Sequence, residues 1–451
     1  MNIASSHRPA VAATLLSFAW PGLGQAYRRR RRVALGFAVP PALLLGGAAL
    51  LAFLLGVPVF AAYLLNPFNS ALAGLAVVGL AVWWAAAILD AGRPHTRGSV
   101  VAAIVLLALV GLAYGWAGSV VWSLYQAGVR ISQPIAEATP APVPTGSSSP
   151  APTNNGRPTS PPVDPQSRVT ILFVGRDSGR GPDSGLTDTL QVASFDPRSG
   201  EIVMISVPRD LGQVPLYTGG TWQHKINALM SAAERQPQRF PDGGIGTLVR
   251  QIEYIVGIPI NYYAMIDFRG FERLVDMVGG VDVVLDRPIR DPTYWHDPQT
   301  RGFFMEPGEH HLDGATALAY VRSRHGPGNS DFQRARRQQQ VLLALRGKID
   351  EPGVLANLPA IIDTASAMVR SDVALNRLPE IVALLQQSTD AEVDTHVLQP
   401  RKYAEVVPRS EIGNVYMIRL KMDAVAELSI ELFGDESRYA QEQHPSPGPR
   451  E

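Results

Sequence analysis

An α/β/α sandwich around a mixed central sheet, preceded by an N-terminal transmembrane helical region, is the fold class this 451-residue chain predicts. Three observations predict it. Residues 33–125 are almost free of charge and hold three long apolar runs. A stretch rich in Pro, Ala, Ser and Thr follows. The remainder alternates strand-like and helix-like segments, joined both by hairpin turns and by longer crossovers. The expected divisions are 1–130 for the membrane region, 131–167 for the linker, 168–435 for an α/β domain and 436–451 for a polar tail.

The apolar runs are VALGFAVPPALLLGGAALLAFLLG from Val33, ALAGLAVVGLAVWWAAAIL from Ala71 and VVAAIVLLALVGLAYGWAGSVVWSLY from Val100. Each matches the roughly 20 residues that a helix needs to cross a bilayer. Pro40 and Pro41 are expected to bend or delay the first helix. Arg28 to Arg32 precede the first run, and Arg93, His95 and Arg97 separate the second from the third. The positive-inside rule puts both clusters in the cytoplasm and, after three crossings, the C-terminal half outside. The earlier segment AVAATLLSFAWPGLGQAY is short for a span. It reads as an interfacial or re-entrant piece, or as part of a fourth helix, and not as a cleaved signal peptide.

Lys plus Arg and Asp plus Glu both number 40, for a net charge of zero, which argues against a dedicated nucleic-acid binder. The chain contains no cysteine, so disulfides and thiolate metal sites are excluded. The linker, ISQPIAEATPAPVPTGSSSPAPTNNGRPTSPPVDPQ, lacks the apolar residues of a core and reads as an extended spacer.

In the C-terminal half, VTILFVG reads as a buried strand, and TLQVASFD and EIVMISVP as a hairpin closed by DPRSG. GIGTLVRQIEYIVG is an amphipathic helix, INYYAMIDF a strand, RGFERLVDMVGG a helix and VDVVL a short strand. ALAYVRSR is expected to be a strand, and DFQRARRQQQVLLALRGKI a helix capped by Asp331. LPAIIDTASAMV and LNRLPEIVALLQQ read as further helices, and VYMIRL as a last strand.

The stretch YVRSRHGPGNSDFQRARRQQQ concentrates arginines at one turn. On a strand, Arg322 and Arg324 share a face. On the helix that follows, Arg334 and Gln338 lie one turn apart. Gly326, Pro327 and Gly328 make the tight connection between them. Converging guanidiniums and an amide suit a multiply charged phosphate or pyrophosphate. Arg336, and with it Arg337, fits an ordinary solvated helix face. Asp177 follows the first strand, Asp188 opens the second, and Arg209 ends the third in VPRD. Two carboxylates at neighbouring strand ends could hold Mg2+ beside a diphosphate.

VGRDSGRG, LTDT, SVPRD, KIN, GIPINYYAMIDFRGFERLVDMVGGVDV, ALAYVRSR and QRARRQQ, in that order over Arg168 to Lys348, resemble the LytR-CpsA-Psr family of bacterial envelope proteins. The resemblance implies a phosphotransferase. It would move a glycopolymer from a polyprenyl-pyrophosphate carrier to a peptidoglycan hydroxyl, at the membrane and without nucleic acid. It implies that Asp177 and Asp188 bind Mg2+, and that Asp188, Arg209, Arg322, Arg324, Arg334 and Gln338 surround the pyrophosphate. Two positions depart from the pattern. Leu186 stands where the family usually has arginine, and Arg180 lies one residue further from Asp177 than usual, so Arg180 or Arg176 would compensate. Alternative readings are a binding protein or pyrophosphatase for the same lipid, and a transcriptional attenuator; no helix-turn-helix pattern accompanies the last.

Overall fold

The computed structural model describes residues 10–93, 97–132, 167–177, 185–295, 300–327, 329–348, 351, 353–354, 360–361, 364–365, 368–387, 391–413 and 415–443. Two compact units emerge. One comprises Met1–Pro134, Leu358–Ser366 and Ala374–Ala383; the other comprises Ile135–Asn357, Ala367–Val373 and Leu384–Glu451.

The first unit contains α1 (Ala10–Ala19), α2 (Leu23–Tyr27), α3 (Arg31–Leu55), α4 (Val57–Leu64), α5 (Pro67–Ala91) and α6 (Arg97–Ser132). Three of them, α3, α5 and α6, are long and apolar enough to cross a membrane. Pro40 and Pro41 lie inside α3 and do not delay its start. The N-terminal segment is a short helical hairpin, α1 and α2, in place of a fourth span. It is fastened by polar groups: buried Gln25 accepts from Ser17 Oγ at 3.0 Å and donates to the Ala87 carbonyl at 2.9 Å. Arg30 pairs with Asp90 at 2.8 Å.

The second unit holds β1 (Val169–Arg176), β2 (Thr187–Phe195), β3 (Ile202–Ser206), β4 (Val214–Pro215), β5 (Thr221–Trp222), α7 (Leu229–Arg235), α8 (Gly243–Val256), β6 (Tyr262–Asp267), α9 (Phe268–Met277) and β7 (Val281–Leu285). There follow β8 (Ile289–Trp295), β9 (Arg301–Met305), β10 (Gly308–Leu312), α10 (Gly314–Arg322), α11 (Asp331–Gly347) and β11 (Val369–Ser371). The remaining elements are α12 (Leu378–Gln387), most of whose residues belong to the first unit, β12 (Val393–Val397), β13 (Ala404–Val406), α13 (Arg409–Ile412), β14 (Ile418–Leu420), α14 (Met422–Phe433) and α15 (Arg438–Gln443).

Six strands form a mixed sheet in the order β11-β6-β1-β2-β3-β12. β1 is parallel to β6 and antiparallel to β2, and β3 is parallel to β12. Alternation along β2 assigns its two faces. Leu190 and Val192 enter the large core with Leu229 and Met230 of α7 and Leu248 and Ile252 of α8. Gln191, between them, turns to the other face and donates to the Ala335 carbonyl of α11 at 3.3 Å. A second core joins α9, α10 and α11 to β7 through Val275, Val281, Tyr320 and Val341. Helical layers therefore cover both faces of the mixed sheet.

VYMIRL does supply a strand, β14, but it pairs with β13 in a separate two-stranded sheet. Half of LPAIIDTASAMV lies outside the described residues; Ala360, Ile361, Thr364, Ala365 and Met368 are helical, and Val369 opens β11 in place of the expected helix end. Arg168, at the start of the domain, donates to Glu436 at 2.7 Å and so ties its two ends together. In the segment read as a polar tail, Tyr439 of α15 is buried and donates to the Ile255 carbonyl at 3.0 Å.

Candidate functional site: a guanidinium cluster at the sheet edge

The ends of β1, β6, β3 and β12 and the starts of β2 and β11 meet along one edge of the sheet. Asp177 sits just beyond β1. Its N–H donates to the Leu186 carbonyl at 3.0 Å, and its own carbonyl accepts from Gly185 N–H at 2.6 Å. Leu186 thus works through its backbone, which any residue supplies. Gly185 has φ +84°, the left-handed region that glycine adopts without strain.

Asp188, on β2, accepts from Arg209 Nη1 at 2.6 Å. Arg209 follows β3 and also lies 3.7 Å from Asp210. Burial alone would lower the Arg209 guanidinium, but Asp188 and the other carboxylates hold it above its ordinary value. Lys225 pairs in turn with Asp210.

ALAYVRSR is not a strand. Gly314–Arg322 is helical, with Asp313 as N-cap accepting from Thr316 N–H at 2.8 Å. Alanine and leucine favour helix, and a short apolar run does not distinguish the two states by period. The correction changes the geometry. Arg322 is the last residue of α10, and its guanidinium carbon lies 4.0 Å from the Phe268 ring centroid, a cation–π contact. Arg324 lies beyond the helix, 4.0 Å from Asp331. The two arginines do not share a strand face.

The turn between α10 and α11 is organised by Asp291, which is 1 % exposed. Its Oδ2 accepts from Ser323 Oγ, Arg324 N–H and His325 N–H, each at 3.0 Å. Gly326, at φ +95°, passes so close to the Arg290 carbonyl that a Cβ would lie 1.8 Å from that oxygen. Arg337, expected with Arg336 on a solvated face, is buried. It donates to the carbonyls of Tyr320 and Ser323 and to Asn329 Oδ1. Burial lowers its guanidinium to about 10. Arg336 is exposed.

Burial alone would raise the Asp291 carboxyl; the donors from His325, Thr293 and Ser323 hold it below the usual aspartate value. Stabilisation from a lowered carboxyl is full above the unfolded pKa, about 3.9, and is lost as pH falls through the lower folded value. Urea unfolding between pH 6 and pH 2 should therefore show a shallower acid loss for Asp291→Asn than for the native chain. Superimposable profiles would remove this role.

Ser330, not Asp331, caps α11, accepting from Gln333 N–H at 3.2 Å. Asp331 occupies the first turn, where the helix dipole favours a carboxylate. Its Oδ1 lies 2.9 Å from Arg334 Nη1 and 4.0 Å from both Arg209 Nε and Arg324 Nη1. Asp331, absent from the expected site, is the residue about which the cations gather. Arg334 is 6 % exposed, and burial lowers its guanidinium against the pull of Asp331. The buried Nε atoms of Arg209 and Arg334 have no hydrogen-bond acceptor among the described residues. Both atoms are shielded from solvent, and Arg209 Nε faces Asp210 and Asp331 at 3.7 and 4.0 Å, so an anion would meet the permanent charge of these guanidiniums and not their Nε–H groups.

Of the expected site residues, Arg209, Arg324 and Arg334 converge on Asp331, and Asp188 joins them through Arg209. Gln338 donates to the Val321 carbonyl at 3.2 Å, beside Arg322. Asp177 lines an adjoining cavity with Arg176. Arg180 lies outside the described residues.

The chain belongs to the LytR_cpsA_psr family, whose pattern matches residues 119–432. It is 31 % identical over 228 residues to the polyisoprenyl-teichoic acid–peptidoglycan teichoic acid transferase TagV of Bacillus subtilis, covering 50 % of this chain and 55 % of that protein. TagU of Bacillus anthracis, a transferase of the same description, is 31 % identical over 209 residues, covering 46 % and 61 %. Regulatory protein MsrR of Staphylococcus aureus is 30 % identical over 215 residues, covering 47 % and 58 %. The chain thus matches little more than half the length of these relatives. The crystal structure of B. subtilis TagV aligns over 62 % of this chain and 99 % of that one, at 26 % identity and a TM-score of 0.47.

Proposed function

We propose that the protein is a membrane-anchored phosphotransferase that moves a glycopolymer from a polyprenyl-pyrophosphate carrier to a peptidoglycan hydroxyl outside the cell. The carrying observation is the convergence of Arg209, Arg324 and Arg334 on Asp331. Phosphoryl transfer rests on positioning and on neutralising charge, and guanidiniums supply both. The acceptor hydroxyl oxygen forms a P–O bond to the polymer-side phosphorus. The bond to the bridging oxygen breaks, the carrier leaves as its monophosphate, and the hydroxyl proton passes to a carboxylate of the site or to water. The relatives' description as teichoic acid transferases supports this reading.

The three apolar helices, flanked by Arg28–Arg32 and by Arg93 and Arg97, support a multi-pass anchor with the α/β domain outside. Mg2+ is proposed to be held by Asp177 and Asp188, one oxygen of Asp188 being already engaged by Arg209. Mg2+ takes one or two protein carboxylates and completes its shell with water and phosphate oxygens. Among the described residues no group of three or more metal-binding side chains occurs, so the pair would not hold a metal by an all-protein cage. When bound, the ion would neutralise phosphate charge. EDTA treatment should reduce transfer at least about 10-fold, restored by Mg2+ and not by Na+, since a hard divalent cation is required. Full activity in EDTA would remove the metal.

The test is reconstitution of the full chain in vesicles with radiolabelled polyprenyl-pyrophosphate glycopolymer and peptidoglycan oligosaccharides. Label should move to the oligosaccharide. Release of label to water alone would make the protein a pyrophosphatase. Donor binding without either product would make it a binding protein.

A further inference from the structure

Beyond the guanidinium cluster, the same sheet edge carries a second cavity, of about 370 Å3. Arg176 and Asp177 at the end of β1, Asp267 at the end of β6, Arg370 on β11 and Arg235 on α7 all line it. Its charges are not equally free. Arg176 pairs with Glu234 at 3.6 Å. Asp267 is committed as the N-cap of α9, accepting from Gly270 N–H at 2.7 Å. Arg235 and Arg370 pair with no carboxylate among the described residues. Met265 and Met368 add an apolar wall. Two uncommitted guanidiniums and two thioether side chains lining one cavity suit a saccharide that carries a carboxylate: the cations would take the acid and the methionines cover the C–H face of the ring.

The strand order assigns this cavity its place in the reaction. Along β11-β6-β1-β2-β3, Arg370 and Asp267 belong to β11 and β6, Asp177 follows β1, Asp188 lies on β2, and Arg209 follows β3. Asp177 therefore borders the cavity, and Asp188, paired with Arg209, borders the guanidinium cluster on the neighbouring strand. In a displacement at phosphorus the nucleophile and the leaving group lie on opposite sides. If the cluster holds the carrier diphosphate, the nucleophile arrives from the cavity.

We propose that the cavity bounded by Arg176, Asp177, Asp267, Arg235 and Arg370 is the acceptor subsite, and that Arg235 and Arg370 recognise a carboxylate of the peptidoglycan sugar-peptide. The proposal rests on the transferase reading above. Peptidoglycan carries sugar hydroxyls and carboxylate-bearing peptides on one polymer, a combination that suits the two features of the cavity. An anionic donor polymer carries negative charge too, and the test separates the two sources.

Full-length protein in detergent is titrated calorimetrically with muramyl dipeptide and with its carboxyl ester. The native chain should bind the acid more tightly than the ester. The double variant Arg235→Gln, Arg370→Gln should bind the acid about 10-fold or more weakly, as expected for losing hydrogen bonds to a charged group. Binding of polyprenyl pyrophosphate should stay within about twofold, because an independent subsite leaves the other's affinity unchanged. Equal affinity for acid and ester, no loss in the variant, or displacement of the dipeptide by a glycerol-phosphate oligomer would overturn the assignment. A native chain that binds the dipeptide through these arginines yet transfers no polymer would instead remove the transferase reading. Transfer by native and variant chains with the same acceptor KM would remove the subsite alone.

Discussion

Replacing Asp331 with alanine should destabilise the α/β domain by about 3–5 kcal/mol, the usual consequence of leaving a buried charge without its partner. Arg334 is 6 % exposed, and its ion pair with Asp331 spans 2.9 Å. Without that carboxylate, Arg334 faces Arg209 across a poorly solvated space, and the remaining acids are engaged elsewhere: Asp188 by Arg209 and Asp210 by Lys225. Asp331→Asn should recover part of the loss, since it keeps the volume and one acceptor but not the charge. Arg336→Ala, on the exposed side of the same helix, should stay within about 0.5 kcal/mol of the native chain. Urea unfolding of the three variants measures the differences. An Asp331→Ala chain as stable as Arg336→Ala would mean that the cations need no central carboxylate. A second consequence concerns the ligand. Asp331 occupies part of the negative field that a diphosphate would supply, so polyprenyl pyrophosphate should recover much of the melting temperature that Asp331→Ala loses.

Arg209→Ala should reduce polymer transfer at least about 100-fold, as removal of one preorganised charge-stabilising donor commonly does. Arg209 is held between Asp188 at 2.6 Å and Asp210 at 3.7 Å. It is oriented before any ligand arrives, so none of its stabilisation is spent on ordering the side chain. Arg209→Lys keeps the charge but loses the planar fork, and should recover only a fraction of the rate. Steady-state transfer with labelled donor separates the effects. A fall in turnover with nearly unchanged donor KM places Arg209 in the transition state, whereas a rise in KM alone places it in ground-state binding. Native turnover in Arg209→Ala would remove the cluster from the chemistry.

How much of this was legible beforehand varies by residue. Alternation made β1, β2 and β3 readable, and with them the nearness of Asp177 and Asp188, because a hairpin's geometry follows from local pattern and turn residues. The same pattern misassigned ALAYVRSR, where alanine-rich composition and a packed Tyr320 decide for helix. That error carried Arg322 to the wrong neighbours; it stacks on Phe268, distant in the chain. Asp291 and Asp331 were invisible as site residues for a related reason. Asp291 acts through partners more than thirty positions away, holding the Ser323–His325 backbone; Asp331 pairs locally with Arg334, but its meeting with Arg209, more than a hundred positions away, is created only by folding. Arg337 shows the converse case, a charge in a basic run that is buried to satisfy carbonyls and not displayed to a ligand.

Sequence alone determined the membrane-compatible helices, the spacer composition, the strands flanking Asp177 and Asp188, and the kind of residue available to bind an anion, because these depend on local periodicity and side-chain chemistry. Only the tertiary structure decided which arginines converge, which is consumed in the core, and which carboxylate stands among them. Those outcomes depend on distances between chain segments remote in sequence, where electrostatic attraction and desolvation act over a few ångströms and leave no local pattern to read.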